Sequence, residues 1–263
     1  MSSIVTRVRL KQIEQHIEKG KRLDGRGLHD YRDIKIEQGV IERAEGSARI
    51  LLGKTEVLVG IKIETGTPFP DTPNEGVLTV NAELVPLASP NFEPGPPDEN
   101  SIELARVVDR GIRESKAIDT EKLCVEPGKL VFVVFVDLYV LNHDGNLIDA
   151  AALAAEAALL NTKMPNYEVE NGAIKIKQGY TPLPMKDHPV TVTIGKISNK
   201  LIVDPWLEEE QAMDSRISIA IDDAGKICAI QKGGAGYFTP KQILEAKNIV
   251  LEKVAELRKK LEL

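Results

Sequence analysis

The segment Leu130 to Leu141 constrains the fold more than any other part of the chain, because it consists almost entirely of Val, Phe, Leu and Tyr. A membrane-spanning helix needs about 20 apolar residues, so this shorter run is more typical of a β-strand buried on both faces. The turn Asn142-His143-Asp144-Gly145 follows, and an Ala-rich helix is predicted from about Leu147 to Thr162. Small side chains let such a helix approach a sheet closely. We therefore expect a strand, a tight turn and a buried helix at the centre of the molecule.

The part of the chain before this unit is predicted to contain a helix, several strands and a second helix. Apolar residues recur at helical spacing between Val5 and Lys19, and Gly20 ends that helix. The second helix is predicted from Asn100, as its N-cap, to about Ala117, with Glu103 as the reciprocal capping residue. The strands between them are punctuated by glycines: Asp33 to Gln38, Ser47 to Leu52, Glu56 to Ile63 and Val77 to Val85.

After Pro165 the pattern of strands followed by a helix restarts. The predicted strands are Ile174 to Lys177, Val190 to Ile197, Lys200 to Val203, Ile217 to Asp222 and Lys226 to Gln231. Thr239-Pro240 opens a final amphipathic helix towards Leu263, with Pro at its first helical position. We therefore predict an α+β fold with an N-terminal helical arm over residues 1–29, a first domain over 30–165 and a second domain over 166–263.

Charge and composition limit the possible functions. Hydrophobic residues make up 42% of the chain, which is enough for an ordinary buried core. The net charge is −6, from 34 Lys and Arg against 40 Asp and Glu. A protein that binds nucleic acid on its own usually has a basic surplus, because contacts to phosphate supply most of the affinity. Binding of RNA would therefore need a local basic patch or a partner.

No apolar secretory segment follows Met1 and no run is long enough to span a bilayer, so we expect a cytoplasmic protein without membrane contact. Cys124 and Cys228 are far apart and match no metal spacing, which favours small buried hydrophobic side chains. The histidines are also scattered: His16, His29, His143 and His188. The sequence thus predicts neither a metal site nor a cofactor site in this chain.

Three stretches of the sequence together resemble the RNase PH family. The first is Arg22-Leu23-Asp24-Gly25-Arg26, followed by Ile36 to Val40 and by Ala44 to Ala48. The second is the apolar strand that ends at Asp144-Gly145 and enters the Ala-rich helix. The third comprises the strands Leu201 to Asp204 and Ser215 to Ile221 and the turn Gly233-Gly234-Ala235-Gly236. Each motif alone is weak, but their order and spacing are specific and extend over nearly the whole chain.

The resemblance implies an RNase PH-like fold of two related βαβ-type halves and a ring-shaped assembly. Active members of the family cleave RNA from its 3′ end with inorganic phosphate as the nucleophile. They bind phosphate at a Gly-Thr-Arg or Gly-Ser-Arg turn, where a helix N-terminus attracts an anion and the arginine adds bidentate contacts. An aspartate in the second half acts as general acid or helps to bind a metal.

This sequence departs from the active pattern at the phosphate turn. Leu147 and Ile148 stand where an active member has Thr-Arg, so the hydroxyl and the guanidinium are both absent. Asp149 follows and is expected to suit the helix dipole but to repel phosphate. Like charges about 4 Å apart repel by roughly 4 kcal/mol at an effective dielectric constant of about 20.

A second departure falls in the other half of the chain. The position of the catalytic aspartate coincides with Arg216 or its neighbour, and Asp214 is two residues away. On a strand these two side chains share a face, so Asp214 is expected to be the ion-pair partner of Arg216. A small shift of the alignment would instead make Asp214 the acid. With both sites altered, we predict a subunit without catalytic residues of its own.

The helix that starts near Asn100 carries the most informative local pattern. Arg106, Arg110 and Arg113 fall within about 60° of one another on a helical wheel. The opposite side carries Ile102, Leu104, Ala105, Val107, Val108 and Ile112. The resemblance favours these arginines as RNA-phosphate contacts, with Arg110 first. The alternative is a solvated face with the pairs Glu103–Arg106, Asp109–Arg113 and Arg110–Glu114.

Within the family, the chain resembles the non-catalytic kind of subunit in archaeal exosome rings. That likeness implies a catalytic RNase PH-like partner, which forms a heterodimer with this subunit, and a hexameric ring of three such heterodimers. It also implies RNA-binding cap subunits and single-stranded RNA as the ligand. The alternative is an independently active phosphate-dependent 3′–5′ exoribonuclease that uses Asp214.

Three further motifs receive structural interpretations. Gly233-Gly234-Ala235-Gly236 lacks the Lys-Ser/Thr pair of a phosphate loop and is interpreted as a tight turn. Glu208-Glu209-Glu210 is interpreted as a solvated acidic loop rather than a metal site. Arg26 is expected to be held by a carboxylate or a carbonyl.

Overall fold

A six-stranded sheet forms the first half of the fold in this computed structural model, which describes residues 4–170 and 173–263. Its strands are β1 (Ile34–Gln38), β2 (Gly46–Leu52), β3 (Thr55–Gly66), β4 (Val77–Leu84), β5 (Cys124–Glu126) and β6 (Leu130–Asn142). Their order is β1-β2-β3-β6-β4, and β5 pairs with β6. The β4–β6 pair is parallel and the others are antiparallel.

A four-stranded antiparallel sheet forms the second half. A ribbon of β7 (Lys163–Glu170) and β8 (Ala173–Pro182) precedes it, and its own strands are β9 (Val190–Ile197), β10 (Lys200–Val203), β11 (Ser215–Ile221) and β12 (Ile227–Gly233). The order is β10-β9-β11-β12. All four of its strands were predicted to within two residues at each end, because their apolar residues recur between clear turn signals.

Five α-helices of the described residues pack on these sheets: α1 (Ile4–Glu18), α2 (Glu99–Glu114), α3 (Leu147–Leu160), α4 (Leu207–Ala212) and α5 (Pro240–Lys260). Helix α3 contacts β2 and β3 of the first sheet and β9 of the second. Eleven of its 14 residues are buried, mostly alanines, so the Ala-rich helix fills the space between the sheets. The predicted α+β fold of two related halves, with an N-terminal and a C-terminal helix, is confirmed.

The prediction for the apolar strand is right for one face of β6 and wrong for the other. Val134, Val136 and Val140 are fully buried, whereas Phe135 is half-buried and Tyr139 is 37% exposed. Strand β6 lies inside a sheet that is covered by α3 on one face, so its alternate side chains meet different surroundings.

The prediction for helix α2 needs correction at both ends. Asp98, not Asn100, is the N-cap of α2, and its carboxylate accepts a hydrogen bond from the backbone N–H of Ser101 at 2.8 Å. The helix ends at Glu114, three residues before the predicted Ala117. Thr239 caps α5 as predicted, in a reciprocal arrangement with Gln242.

Short elements were missed by the sequence analysis. They are the 3₁₀ turn Thr120–Leu123, strands β5 and β7, and helix α4. Helix α1 packs its buried Ile13 and Ile17 against Ile197 and Ile202 of the second sheet. Among the helices in the described part of the chain, none has both the length and the apolar character needed to cross a membrane. The division of the chain after residue 165 falls inside β7 and stays a prediction.

Candidate functional site

The turn between β6 and α3 is the position at which the resemblance to the RNase PH family implies a phosphate site in active members. Asn146 lies there in the left-handed conformation, with φ of 54°, and Leu147 is the first helical residue. The backbone N–H of Asn146 donates a hydrogen bond to Oε1 of Glu210 at 2.8 Å. Burial raises the pKa of Glu210 to about 7. An amide at the helix N-terminus, which would otherwise be offered to an anion, is therefore bound to the protein's own carboxyl group.

A cavity of about 270 Å³ opens beside this turn. Its lining residues come from both halves of the fold: Leu84, Ser89, Asn91, Phe92, Asn100, Glu103, Leu104, His143, Asn146, Leu147, Ile148, Thr193, Glu210 and Arg216. Leu147 is half-buried and Ile148 is 7% exposed. The two positions that supply a hydroxyl and a guanidinium in active relatives thus present aliphatic side chains to the cavity.

The prediction that Asp149 repels an anion in this pocket is wrong, because its side chain points into the core. Asp149 is completely buried, and its Oδ2 accepts hydrogen bonds from the Tyr31 hydroxyl, the Asn146 side-chain amide and the Thr193 N–H at 2.7, 2.9 and 3.1 Å. Burial raises its pKa to about 6. Glu210 is the carboxyl group that contacts the turn, through the Asn146 N–H, and it lines the cavity.

Arg216, the second altered position, lines the same cavity. Its guanidinium forms an ion pair with Glu103 of α2 at 2.6 Å, so the predicted pair with Asp214 is wrong. Asp214 is exposed and precedes β11, where its carbonyl accepts a hydrogen bond from the Gly236 N–H at 2.8 Å. In the part of the chain that the structure describes, Arg216 and Glu103 line the cavity near the expected position of the acid. Asp214 does not line the cavity.

The three predicted arginines lie together in a groove of about 350 Å³ between α2 and β4, which we call the arginine groove. Arg106, Arg110 and Arg113 are all exposed. The other side of α2 packs into the core through Leu104, Val108 and Ile112, which are 2–4% exposed. Ile102 was expected on that packed side but is 48% exposed.

The contacts in the arginine groove test the alternative prediction, in which the arginines form ion pairs with carboxylates of the same helix. Arg113 pairs with Asp109 at 2.7 Å, as that alternative predicted. Arg110 instead donates a hydrogen bond to the side chain of Gln231 on β12 at 3.1 Å. In the described part of the chain, the side chain of Arg106 has no ion pair or hydrogen-bond partner, since Glu103 pairs with Arg216. The groove therefore holds two arginines without a carboxylate partner, a surface that can attract phosphate groups.

The interpretation of Glu208-Glu209-Glu210 as a solvated loop is wrong. These residues form α4, and Glu209 is 1% exposed and paired with the fully buried guanidinium of Arg22. Arg22 also donates to the carbonyls of Val203 and Asp204, each at 2.8 Å. No local pattern in the sequence shows this contact, because the two partners are 187 residues apart.

Asp204 was also missed as a key residue. Its carboxylate is completely buried and binds the side chains of Arg26, Arg32 and Asn146 at 2.7–2.9 Å. Arg26 also donates to Asp24 at 2.6 Å and to the Asp30 carbonyl at 3.0 Å, which confirms that a carboxylate and a carbonyl hold it. We call Asp204 and its three side-chain partners the Asp204 cluster.

The histidines and cysteines do not converge. Nδ1 of His188 lies 2.8 Å from Asp223, and the His143 ring is stacked on Phe92 with centroids 5.4 Å apart. Cys124 and Cys228 are unpaired and half-buried. Across residues 4–170 and 173–263 there is no group of three or more His, Cys, Asp or Glu side chains arranged to hold a metal ion.

Two packed α+β halves, with a cavity at the N-terminus of the central helix, define a protein of the RNase PH type. The chain belongs to the 3′ exoribonuclease family: domain 1 of that family matches residues 30–165, and domain 2 matches residues 187–249.

Named relatives and solved structures show which kind of family member this chain resembles. The chain is 57% identical to the exosome complex component Rrp42 of Thermococcus kodakarensis, over 93% of this chain and 90% of the relative. It is 51% identical to the protein of the same name from Methanothermobacter thermautotrophicus, over 97% and 94%. The solved Archaeoglobus fulgidus exosome with RNA bound to the active site contains a chain of TM-score 0.90 and 46% identity, with 98% of this chain and 99% of that one covered. The expected resemblance to archaeal exosome subunits of the RNase PH family is confirmed.

Proposed function

We propose that this chain is a non-catalytic subunit of an archaeal exosome. It structures the active site of a catalytic RNase PH-like partner and helps to bind RNA for 3′–5′ phosphorolytic degradation. The relatives named as exosome components support this proposal, since they match nearly the whole chain at 51–57% identity.

The proposal depends on the residues at the turn between β6 and α3. Phosphorolysis needs an anion at the N-terminus of α3, and two features oppose one there. Leu147 and Ile148 provide no polar side chain to the cavity. The Asn146 N–H already donates to Glu210, a carboxyl group that would repel phosphate whenever it is ionised. The turn therefore has no side chain that attracts phosphate, and the Glu210 carboxyl group competes with phosphate for the Asn146 N–H.

The assembly is a further part of the proposal. This chain forms a heterodimer with the catalytic subunit, and three heterodimers close into a hexameric ring in the cytoplasm. RNA-binding cap subunits sit on one face of the ring. Single-stranded RNA passes along the arginine groove, where Arg110 and Arg106 contact successive phosphates and Arg113 flanks them. Guanidinium groups suit this role because they hold phosphates without reading sequence.

Activity of the purified chain tests the proposal directly. Alone, it should neither shorten poly(A) in the presence of inorganic phosphate nor extend it with a nucleoside diphosphate, because neither substrate phosphate has a site. The same preparation, mixed with the catalytic partner, should gain both activities and elute as a ring on size-exclusion chromatography with light scattering.

The control for contamination is the Asp214→Asn variant. Phosphorolysis by the isolated chain that disappears in this variant would overturn the proposal and establish Asp214 as an acid. Activity that survives in Asp214→Asn but is lost after further purification would come from a contaminant.

A further inference from the structure

The turn Gly233-Gly234-Ala235-Gly236 has no role in the proposal above, yet it places Tyr237 in a defined position on the surface. Gly234 has φ of +80°, and a Cβ atom there would lie 2.9 Å from the Cα of Ser215. The N–H of Gly236 donates to the carbonyl of Asp214 at 2.8 Å. The turn therefore packs closely on the start of β11, and Tyr237, which follows it, is 73% exposed.

Lys196 supports the ring of Tyr237 from the protein side. Its Nζ lies 4.6 Å from the ring centroid and donates to the Tyr237 carbonyl at 2.7 Å. Lys196 is only 7% exposed, and it has no ion pair with a carboxylate in the part of the chain that the structure describes. A cation on one face of an aromatic ring is held by the ring's quadrupole. The other face of Tyr237 is consequently presented to solvent.

Tyr237 is connected to the arginine groove through β12. Arg110 donates to Gln231 on that strand, and Tyr237 is six positions after Gln231, a span of at most about 21 Å. Between them, a Cβ atom on Gly233 would lie 2.9 Å from Nε of Arg216. Arg216 therefore lies alongside the path from the groove to the ring, and the exposed Lys232 lies on the strand itself.

We propose that Tyr237, backed by Lys196, stacks against a base of single-stranded RNA that runs from the arginine groove across the end of β12. The inference rests on the proposed function and names a base-binding position within it. Stacking on an aromatic ring tolerates any base and usually accompanies basic residues along the backbone path. Asp214 is the exposed carboxylate at this turn, and the exposed Lys232 provides the opposing charge, whereas Arg216 is paired with Glu103. The exposed Lys232 and the two groove arginines without a carboxylate partner favour RNA over a protein partner.

Binding of a fluorescently labelled oligo(A) to the assembled ring tests the inference. Tyr237→Ala should weaken binding about fivefold or more, the low end of the contribution of one stacked base. Tyr237→Phe should bind within about twofold of the wild type because the ring remains. Tyr180→Ala is the matched control, since Tyr180 is 69% exposed on β8 and has no cation–π contact among the described residues; it should leave affinity unchanged.

Salt dependence and crosslinking distinguish stacking from charge. Tyr237→Ala should leave the slope of log Kd against log salt concentration unchanged, whereas loss of a phosphate contact at Arg110 should reduce it by about 1. An oligonucleotide with 5-iodouridine should crosslink to Tyr237 on irradiation.

Unchanged affinity in Tyr237→Ala, together with weaker binding in Arg110→Glu, would overturn the stacking position and leave the proposed function intact. Unchanged affinity in both variants would overturn both. Dissociation of the ring in Tyr237→Ala would identify a protein contact instead and would also overturn the inference.

Discussion

Glu210 links the turn between β6 and α3 to the stability of the fold. Burial raises its pKa from an ordinary 4.5 to about 7, so the folded chain holds this proton more tightly than the unfolded chain. Stability from this group is therefore greatest at low pH and falls as the pH rises from about 4.5 to about 7. The full difference corresponds to roughly 3 kcal/mol.

Replacement of Glu210 by Gln should remove this pH dependence. The Gln side-chain oxygen can still accept the hydrogen bond of the Asn146 N–H, so packing is retained. Between pH 5 and pH 8, the wild type should lose up to about 3 kcal/mol more unfolding free energy than Glu210→Gln, as measured by denaturant titration. Glu208→Gln is the control, because Glu208 lies on the same helix but forms a surface ion pair with Arg9. Equal pH slopes in the wild type and Glu210→Gln would show that Glu210 does not titrate in this range.

The sequence placed the turn before the central helix correctly but assigned the negative charge beside it to the wrong residue. Asp149 is adjacent to the turn in sequence, yet its hydrogen-bond partners Tyr31 and Thr193 are 118 and 44 residues away and pull it inward. Glu210 is 64 residues from Asn146 and reaches the turn only because α4 packs there. Side-chain direction at this turn depends on tertiary contacts, which local pattern cannot show.

Helix α2 shows what can be predicted at the scale of an element. Its apolar spacing predicted the packed face correctly at Leu104, Val108 and Ile112, because a 3.6-residue period fixes which side chains share a face. Its surface partners were harder to predict: Glu103 is drawn to Arg216 of β11, and Arg110 to Gln231 of β12. Helix α4 was missed altogether, since six residues with three glutamates have no apolar period.

The arginine groove can be tested without disturbing this packing, because its arginines are exposed. In the proposed ring with a catalytic subunit, Arg110→Glu should leave the assembly intact and weaken oligo(A) binding by roughly tenfold, the scale of one charged hydrogen bond. Arg43→Glu makes the same charge change at an exposed turn outside the groove and should have little effect. Fluorescence anisotropy measures the affinity, and light scattering checks the ring. Equal affinities for the two variants would mean that the groove is a solvated surface.

Across the whole molecule, the Asp204 cluster joins parts that are distant in sequence. Asp204 follows β10 of the second sheet, Arg26 and Arg32 lie before β1, and Asn146 begins the central helix. Burial alone would raise the pKa of Asp204, but the hydrogen bonds and charge of Arg32, together with the charge of Arg26, outweigh burial and lower it below 3.8. The stabilising effect of this carboxylate is therefore present at neutral pH and is lost as the pH falls through that lowered pKa.

Asp204→Asn removes the charge and keeps the shape, which makes it the sharpest test of how the two halves are held together. Asp204 has φ of 50°, a conformation that asparagine tolerates and most residues do not, so backbone strain should not contribute. Removal of one partner from a buried ion pair leaves the other charge uncompensated and typically costs 3–5 kcal/mol. We expect a loss of about that size in the unfolding free energy at pH 7. The control is Asp24→Asn, which removes the more exposed carboxylate partner of Arg26 and should cost less than about 1 kcal/mol. Equal stability of Asp204→Asn and Asp24→Asn would contradict this prediction. It would mean that the packing of α3 between the sheets, and not the charge of Asp204, joins the two halves.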